Sequence, residues 1–271
     1  MIPEIGRLLA RSRRSGWARR LDSLALAVHR GYENVNYDIH DNGELAALRR
    51  LARTADIRTV FDVGANRGEW SGLATQLFPA ATIHAFEIVP ATFNHLKKRF
   101  SGNDNIILND MGLSDTQGSL EVYFASERDV LATCVAGFSE AFHRYRPTPL
   151  QARVTTGDHY CNTLHIAKID FLKIDVEGFE PRVLQGFEAT LARAAVDVVQ
   201  FEYGYINICT RFLLKDFYDY MQRFDMKVGK IYPNYVEFRP YRYTDEDFSG
   251  ANFLAVRSSR EDLLQTLSGR Q

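Results

Sequence analysis

The amino-acid sequence predicts an α/β fold, a mostly parallel and doubly wound sheet with helices on both faces. Three observations carry that expectation. From residue 43 onward short β-branched runs alternate with helical patterns, as a parallel sheet with crossover helices requires. One of these runs, Thr59-Val60-Phe61-Asp62-Val63, stops at a turn with glycines at 64 and 68 and feeds a helix. The 271 residues, 45% hydrophobic and 25% charged, can fill the core of one large domain, which excludes disordered and collagen-like chains.

In chain order, a helix over 43–53 leads into the strand 59–63, and the glycine turn opens a helix from Glu69 to about Phe78 that stops at Pro79. A second strand spans Thr82 to Glu87. Pro90 suits a first helical position, and that helix runs to Phe100. Asn105 to Asn109 reads as a third strand and Ser119 to Phe124 as an extended segment. The stretch 125–165, with Pro147 and Pro149, is the least regular, and irregular stretches of that length usually carry function. Strands Phe171 to Asp175 and Val196 to Glu202 follow, separated by a helix starting near Pro181. An amphipathic helix over 211–224 then precedes strands at 227–232 and 252–257, which a tyrosine-rich connection joins. The expected organisation is a basic, helical extension over 1–42, the main domain over 43–260 and a short tail over 261–271.

Net charge is −1, yet residues 1–30 hold seven arginines against Glu4 and Asp22, a local +5 that leaves −6 for the remainder. The balance gives no global field for nucleic acid, and no basic stripe with interleaved aromatics lies outside the arm. Cys134, Cys161 and Cys209 form no Cys-x-x-Cys pair, so neither a disulfide framework nor a thiolate zinc site is expected, and a reduced cytoplasm is the expected location. No window approaches about 18 uninterrupted apolar residues, so no transmembrane segment is expected. The arm is a candidate for weak contact with an anionic membrane surface, since Ile5, Leu8 and Leu9 lie near helical spacing. The alternatives are a solvated helix packed on the domain or a contact between copies in a homo-oligomer.

The chemistry concentrates in Asp62-Val63-Gly64-Ala65-Asn66-Arg67-Gly68-Glu69. A strand turning through glycine into a helix lets backbone approach a bound nucleotide, and Glu87, nineteen residues after Gly68, can accept ribose hydroxyls beside Ile88. Dinucleotides and S-adenosylmethionine both use this layout. A dinucleotide site wants Gly-x-Gly-x-x-Gly, but Asn66 replaces the middle glycine, and Glu69 puts negative charge where a pyrophosphate would lie. A phosphate-free, zwitterionic cofactor fits better, with Gly64, Ala65, Asn66 and Gly68 against it and Asp62 toward its cationic amino-acid end. Asp110, after the third strand, is a candidate acceptor for the adenine amine, an Asx turn being the alternative.

The sequence resembles the FkbM-type family of S-adenosylmethionine-dependent methyltransferases, of the class I, Rossmann-like kind. The resemblance rests on Phe61-Asp62-Val63-Gly64-Ala65-Asn66-Arg67-Gly68, Ala85-Phe86-Glu87, Gly112-Leu113-Ser114-Asp115 with Gly118, Phe171-Leu172-Lys173-Ile174-Asp175-Val176-Glu177-Gly178, and Val199-Gln200-Phe201-Glu202-Tyr203. It covers roughly residues 55 to 257. It implies a seven-stranded sheet whose last strand is antiparallel, and O-methylation of a hydroxyl on a sugar, glycan or related natural product. Where the family tends to have Thr-Leu-Asp-Asp, this chain has Thr156-Gly157-Asp158-His159.

Ligands of doubly wound sheets sit beyond the carboxyl ends of the strands, so Asp175 and Glu202 should face one crevice, with Glu177 on the adjoining turn. An aliphatic hydroxyl needs its proton removed or its oxygen bound by a metal. Asp175, Glu177, Glu202 or His159 are therefore candidate bases, and Asp175 with Glu202 is a candidate site for a divalent cation such as Mg2+. The competing readings are that Glu177 caps the helix near Pro181 and Asp175 holds loop backbone. His84 should be a packed core residue. His143, beside Arg144 and Arg146, and the cluster Tyr232, Tyr235, Phe238, Tyr241 and Tyr243 are candidates for sugar or phosphate contact, or for a solvated loop and a covered sheet edge. A nicotinamide-dependent oxidoreductase and a non-catalytic cofactor-binding scaffold remain alternative functions.

Overall fold

The computed structural model describes residues 2–124, 132–135 and 148–269. Helices α1 (Ile2–Arg11) and α2 (Gly16–Tyr32) form an N-terminal arm. They are followed by α3 (Glu44–Thr54), β1 (Thr59–Val63), α4 (Glu69–Leu77), β2 (Thr82–Phe86), α5 (Pro90–Arg99) and β3 (Ile106–Asn109), each close to its expected bounds. Next come β4 (Gly112–Leu113), β5 (Gly118–Phe124), β6 (Thr148–Thr155), α6 (Gly157–Thr163), β7 (Ile169–Ile174), α7 (Glu180–Gln185), α8 (Glu188–Ala192) and β8 (Val196–Tyr203). The chain continues through α9 (Asn207–Thr210), α10 (Leu214–Gln222), β9 (Met226–Tyr232), β10 (Tyr235–Phe238), β11 (Ala251–Arg257) and α11 (Glu261–Ser268).

The main sheet has the order β10-β9-β11-β8-β7-β1-β2-β3, with β11 antiparallel to both β8 and β9. It has eight strands where seven were expected, because the tyrosine-rich connection folds back as β10 against β9. The expected extended segment after β3 belongs to a second sheet, β4-β6-β5. Its strand β6 lies inside the stretch read as irregular. Leu150, Ala152 and Val154 alternate with Pro149, Gln151 and Arg153, a period-2 pattern that the prolines obscured. Pro149 is tolerated because β4 pairs only with residues 154 and 155, leaving the far end of β6 open on that side.

Alternation along the central strands separates two cores. Phe61, Val63, Leu172 and Ile174 pack on one face, while Val60, Phe171, Val198 and Leu254 pack on the other with Leu48 and Leu51 of α3 and Trp70 and Ala74 of α4. The same parity places Asp62, Lys173 and Gln200 on the α3/α4 face, at registered positions of adjacent strands. The helix expected over 211–224 is present as α10 over Leu214–Gln222, starting three residues later because Arg211, at φ 57°, closes the short α9. Residues 261–268, expected as tail, are helical, with Leu263 and Leu267 buried. Among the described residues no helix is long and apolar enough to cross a membrane.

Candidate functional site

The chain runs outward from β1 to β2 and β3, then returns to β7 on the other side of β1, so a crevice opens at the carboxyl ends of these strands. A cavity of about 550 Å³ occupies it. The floor is the β1–α4 turn and the ends of β2, β7 and β8. One wall comes from Leu120, Val122 and Val154 of the small sheet with Thr133 and Cys134, and another from Tyr37, Ile39 and Glu44.

At one end lies the glycine turn. Gly64 has φ of 84°, and a Cβ on it would sit 1.8 Å from the Asp175 carbonyl oxygen, so only glycine allows β1 and β7 to end side by side. Gly64 and Ala65 donate their N–H groups to Phe86 O, at 3.1 and 2.8 Å. Asn66, also left-handed at φ 49°, donates its backbone N–H to Glu87 Oε2 at 2.8 Å, and Val89 N–H reaches Glu87 Oε1 at 2.7 Å. Burial pushes the Glu87 carboxyl up to about 7 against the lowering effect of these backbone donors. A carboxylate has about four lone-pair sites, so acceptor capacity for a hydroxyl donor remains after the backbone N–H groups of Val89, Asn66 and Ile88. Trp70 Nε1, buried at the same cavity, has no hydrogen-bond partner among the described residues.

At the other end three carboxylates converge, with one oxygen each of Asp175, Glu177 and Glu202 within 4.8 Å of the others. Glu177 is carried there by a left-handed turn, φ 52°, continued by Gly178. Burial, then Asp175 and Glu180, raise the Glu177 carboxyl well above its ordinary value. Burial, then Glu177 and Asp175, do the same for Glu202. Asp175 is fixed by Lys173, whose Nζ lies 3.1 Å from Asp175 Oδ2 and 3.2 Å from Asp62 Oδ1. Burial opposes the charge on Lys173, but Asp175, Asp62 and Glu44 outweigh it, so the ammonium is held protonated. Glu44 accepts from Asn42 at 2.6 Å, from Asn252 at 2.9 Å and from Gln200. The Tyr37 ring is exposed at the mouth while its hydroxyl rests against Gly250. Burial, then Glu202 and Tyr205, raise its pKa.

Of the residues expected in the site, Gly64, Ala65, Asn66, Glu87, Ile88, Asp175, Glu177 and Glu202 line one cavity. Asp62 does not. It is fully buried beneath the turn, taking Ser71 Oγ at 2.6 Å as well as Lys173. Gly68 is also outside, beneath Leu96 and Phe100. Asp110 is exposed and paired with Arg153 at 2.7 Å rather than turned to the cavity. His159 is exposed on α6, its backbone N–H bonded to Thr156 Oγ1, and does not line the cavity. Glu180, not Glu177, caps the turn before α7, accepting from Val176 N–H at 3.0 Å and Gly178 N–H at 3.2 Å. His84 is buried with Nδ1 2.9 Å from Tyr160 Oη, and burial drives it down to about 4, as a core residue. His143, Arg144 and Arg146 lie outside the described residues. The tyrosine cluster lines none of this cavity.

Sequence reasoning missed Lys173, Glu44, Trp70, Tyr37 and Tyr205. Lys173 left a signal, the lone cation of its strand, set between Leu172 and Ile174.

Residues 62–228 match the family model described as the methyltransferase FkbM domain. Among solved structures, the methyltransferase FkbM from Methylobacillus flagellatus KT is 14% identical, over 74% of this chain and 44% of that one, with a TM-score of 0.47. This chain therefore spans less than half of that protein's length. Precorrin-6y C5,15-methyltransferase from Geobacter metallireducens GS-15 is 12% identical, over 78% and 86% of the two chains, with a TM-score of 0.40. The plantazolicin methyltransferase BpumL, solved in complex with SAH, is 12% identical, over 94% and 96%, with a TM-score of 0.44. No curated protein matches the chain.

Proposed function

From the premise that this chain belongs to the FkbM methyltransferase domain family, we propose that it is an S-adenosylmethionine-dependent O-methyltransferase acting on a hydroxyl of a sugar, glycan or related natural product. The observation that carries the reading is the pairing, in one cavity, of Glu87 and the glycine turn that donates to it with the Asp175–Glu177–Glu202 cluster. Bound S-adenosylmethionine supplies an electrophilic methyl group on a sulfonium. The residues fit it. Glu87 has acceptor capacity left for ribose hydroxyls, Trp70 Nε1 is an unused donor, and the carboxylates favour a cationic guest.

The chain's own contribution is alignment and proton handling. The turn and Glu87 orient the donor, and the walls from the small sheet and from residues 37–44 exclude water around the acceptor. The acceptor hydroxyl has to give up its proton when it is methylated, and a carboxylate of the cluster would take it. Asp175 is the residue assigned that role, because its carboxylate lines the cavity and is fixed in place by Lys173 Nζ 3.1 Å away, while burial and their acidic neighbours raise the carboxyls of Glu177 and Glu202. The expected result for Asp175→Asn is a fall in turnover of about 10²- to 10⁴-fold with cofactor affinity retained, read by calorimetry and an activity assay. Near-normal turnover would sink the assignment.

A divalent cation between Asp175 and Glu202 is the metal-assisted form of the same reading. We favour the proton-acceptor form because Asp175, one of the two carboxylates such a cation would need, already has the Lys173 ammonium 3.1 Å from its Oδ2. Turnover lost on chelation and restored by Mg2+ would reverse that choice. Titration with S-adenosylmethionine, S-adenosylhomocysteine and NAD tests the cofactor, and binding of NAD alone would establish the oxidoreductase alternative.

A further inference from the structure

We propose that the α1–α2 arm is a docking surface for an anionic membrane, on which the two helices lie with their apolar faces down. The inference is independent of the methyl-transfer reading. In α2, Trp17, Leu21, Leu24 and Val28 follow one another at spacings of four, three and four, which sets them on a single face of the helix. That face is not packed on the domain, for Trp17, Leu24 and Val28 are 49%, 60% and 64% exposed. Helix α1 adds exposed Ile5 and Leu8, with Arg7 on its other side and Arg11 flanking Leu8 one turn on. All seven arginines of the arm are exposed.

The attachment of the arm to the domain lies at its far end. His29 Nε2 is 3.8 Å from Asp247, Glu33 accepts from Lys230 Nζ at 2.9 Å, and Asn34 Nδ2 donates to Ile231 O at 3.0 Å. The segment leading on from α2 carries Tyr37 into the cavity wall.

Charge selects the occupant. The arm carries a net +5 from its seven arginines, Glu4 and Asp22, so a second copy seated on the same face would bring +5 against +5. An anionic bilayer presents the opposite sign, and an interfacial helix with arginines beside a Trp- and Leu-bearing face satisfies both its charge and its apolar surface there. Tryptophan near one end of α2 and Tyr32, 77% exposed, at the other are the residue types that settle at the headgroup level.

The chain contains two tryptophans, Trp17 and Trp70, and Trp70 is buried, so an environment-sensitive change in emission on adding vesicles reports Trp17. The experiment uses the full chain with vesicles of phosphatidylcholine alone or with about 30% phosphatidylglycerol, combining flotation and fluorescence. Expected are a blue shift and co-flotation with the anionic vesicles, weakened by salt, and neither with phosphatidylcholine alone. Leu24→Glu with Val28→Glu should lower partitioning by at least about ten-fold. The melting temperature should be unchanged, because both side chains are exposed. Failure of the wild-type chain to float with anionic vesicles, equal flotation with both compositions, or a variant that floats like wild type would each overturn the proposal. A vesicle-indifferent chain whose dimer dissociates on the same substitutions would identify a second copy as the occupant instead.

Discussion

Replacing Lys173 with methionine removes a cation and keeps the length of the side chain. Lys173 is 6% exposed and Asp62 is fully buried, while Asp175 is 38% exposed and can turn to water. The variant therefore strands one carboxylate, Asp62, which keeps the hydrogen bond from Ser71 Oγ. Breaking a buried pair in this way costs roughly 3–5 kcal/mol, a large part of the about 5–15 kcal/mol that holds a domain folded. At about 2–4 °C per kcal/mol for a chain approaching this size, the melting temperature should fall by roughly 6–20 °C. Adding Asp62→Asn to Lys173→Met removes the uncompensated charge while leaving an acceptor for Ser71, and should recover much of the loss. Thermal and urea unfolding of both variants decide the matter. A single variant within about 1 kcal/mol of wild type, or a double variant no better than the single, would refute the view that this pair neutralises the floor of the site.

Three other outcomes follow from the same geometry. Gly64→Ala must accommodate both a φ of 84° and a Cβ 1.8 Å from Asp175 O, so its affinity for S-adenosylmethionine should fall by at least about 100-fold in calorimetry; wild-type binding would remove the turn from the cofactor site. Since Glu87 stands at about 7, and its ionised form is the better hydroxyl acceptor, affinity for S-adenosylmethionine should rise up to about tenfold per pH unit toward pH 7 and then level; a flat profile over pH 5.5–8.5 would exclude that role. Glu87 and Glu180 both stand at about 7 in the fold against an ordinary 4.5, so the folded chain keeps protons that the unfolded chain releases. Their contribution to stability is full below pH 4.5 and is lost as pH rises through 7. His84, at about 4 in the fold against 6.5, works in the opposite direction, but only below about pH 6.5. The urea midpoint of the ligand-free chain should therefore drop between pH 6.5 and 8, and a rise there would contradict the assignment.

Strand periodicity and the glycine turn made β1, β2 and β7 legible in the sequence, and with them Gly64, Glu87 and Asp175. These residues sit where a strand ends, and strand ends are visible as changes of pattern. Asp62 shows what chain position alone does not tell. It lies two residues before Gly64, yet strand parity turns it to the α4 face, under the turn instead of into the cavity. Lys173, Gln200 and Glu44 become one network only once the register places β1, β7 and β8 side by side, and register is a tertiary fact. Thr156-Gly157-Asp158-His159 offered a histidine to chemistry, but local hydrogen bonding decides its use. Thr156 caps α6, and Asp158 accepts the N–H groups of Ala189 and Thr190 at the start of α8. A Thr three residues before a capped N–H is the pattern of a helix start, and that reading of the segment was available from sequence.

The match to the family ends before the cavity does. Residues 62–228 include the glycine turn, Glu87, Lys173 and the three clustered carboxylates, all the groups to which donor binding and proton acceptance have been assigned. Tyr37, Ile39, Glu44 and Asn252 line the same cavity from outside that span. Glu44 is linked to it through Gln200 and Lys173, and Asn252 in turn through Glu44, so this part of the outer wall is tied to the floor by buried polar contacts. On the proposed reading, the matched core sets what is transferred, while the flanking residues form part of the surface that an acceptor would meet. The kind of acceptor can then differ between members that share the core, because a change at Tyr37 or Asn252 would reshape the mouth without touching Glu87 or Asp175. Family membership accordingly constrains the reaction more tightly than the substrate, and the substrate is to be sought in the chemistry of the wall: a tyrosine ring at the rim, a carboxylate clasped by three amides, and the acidic cluster beneath them.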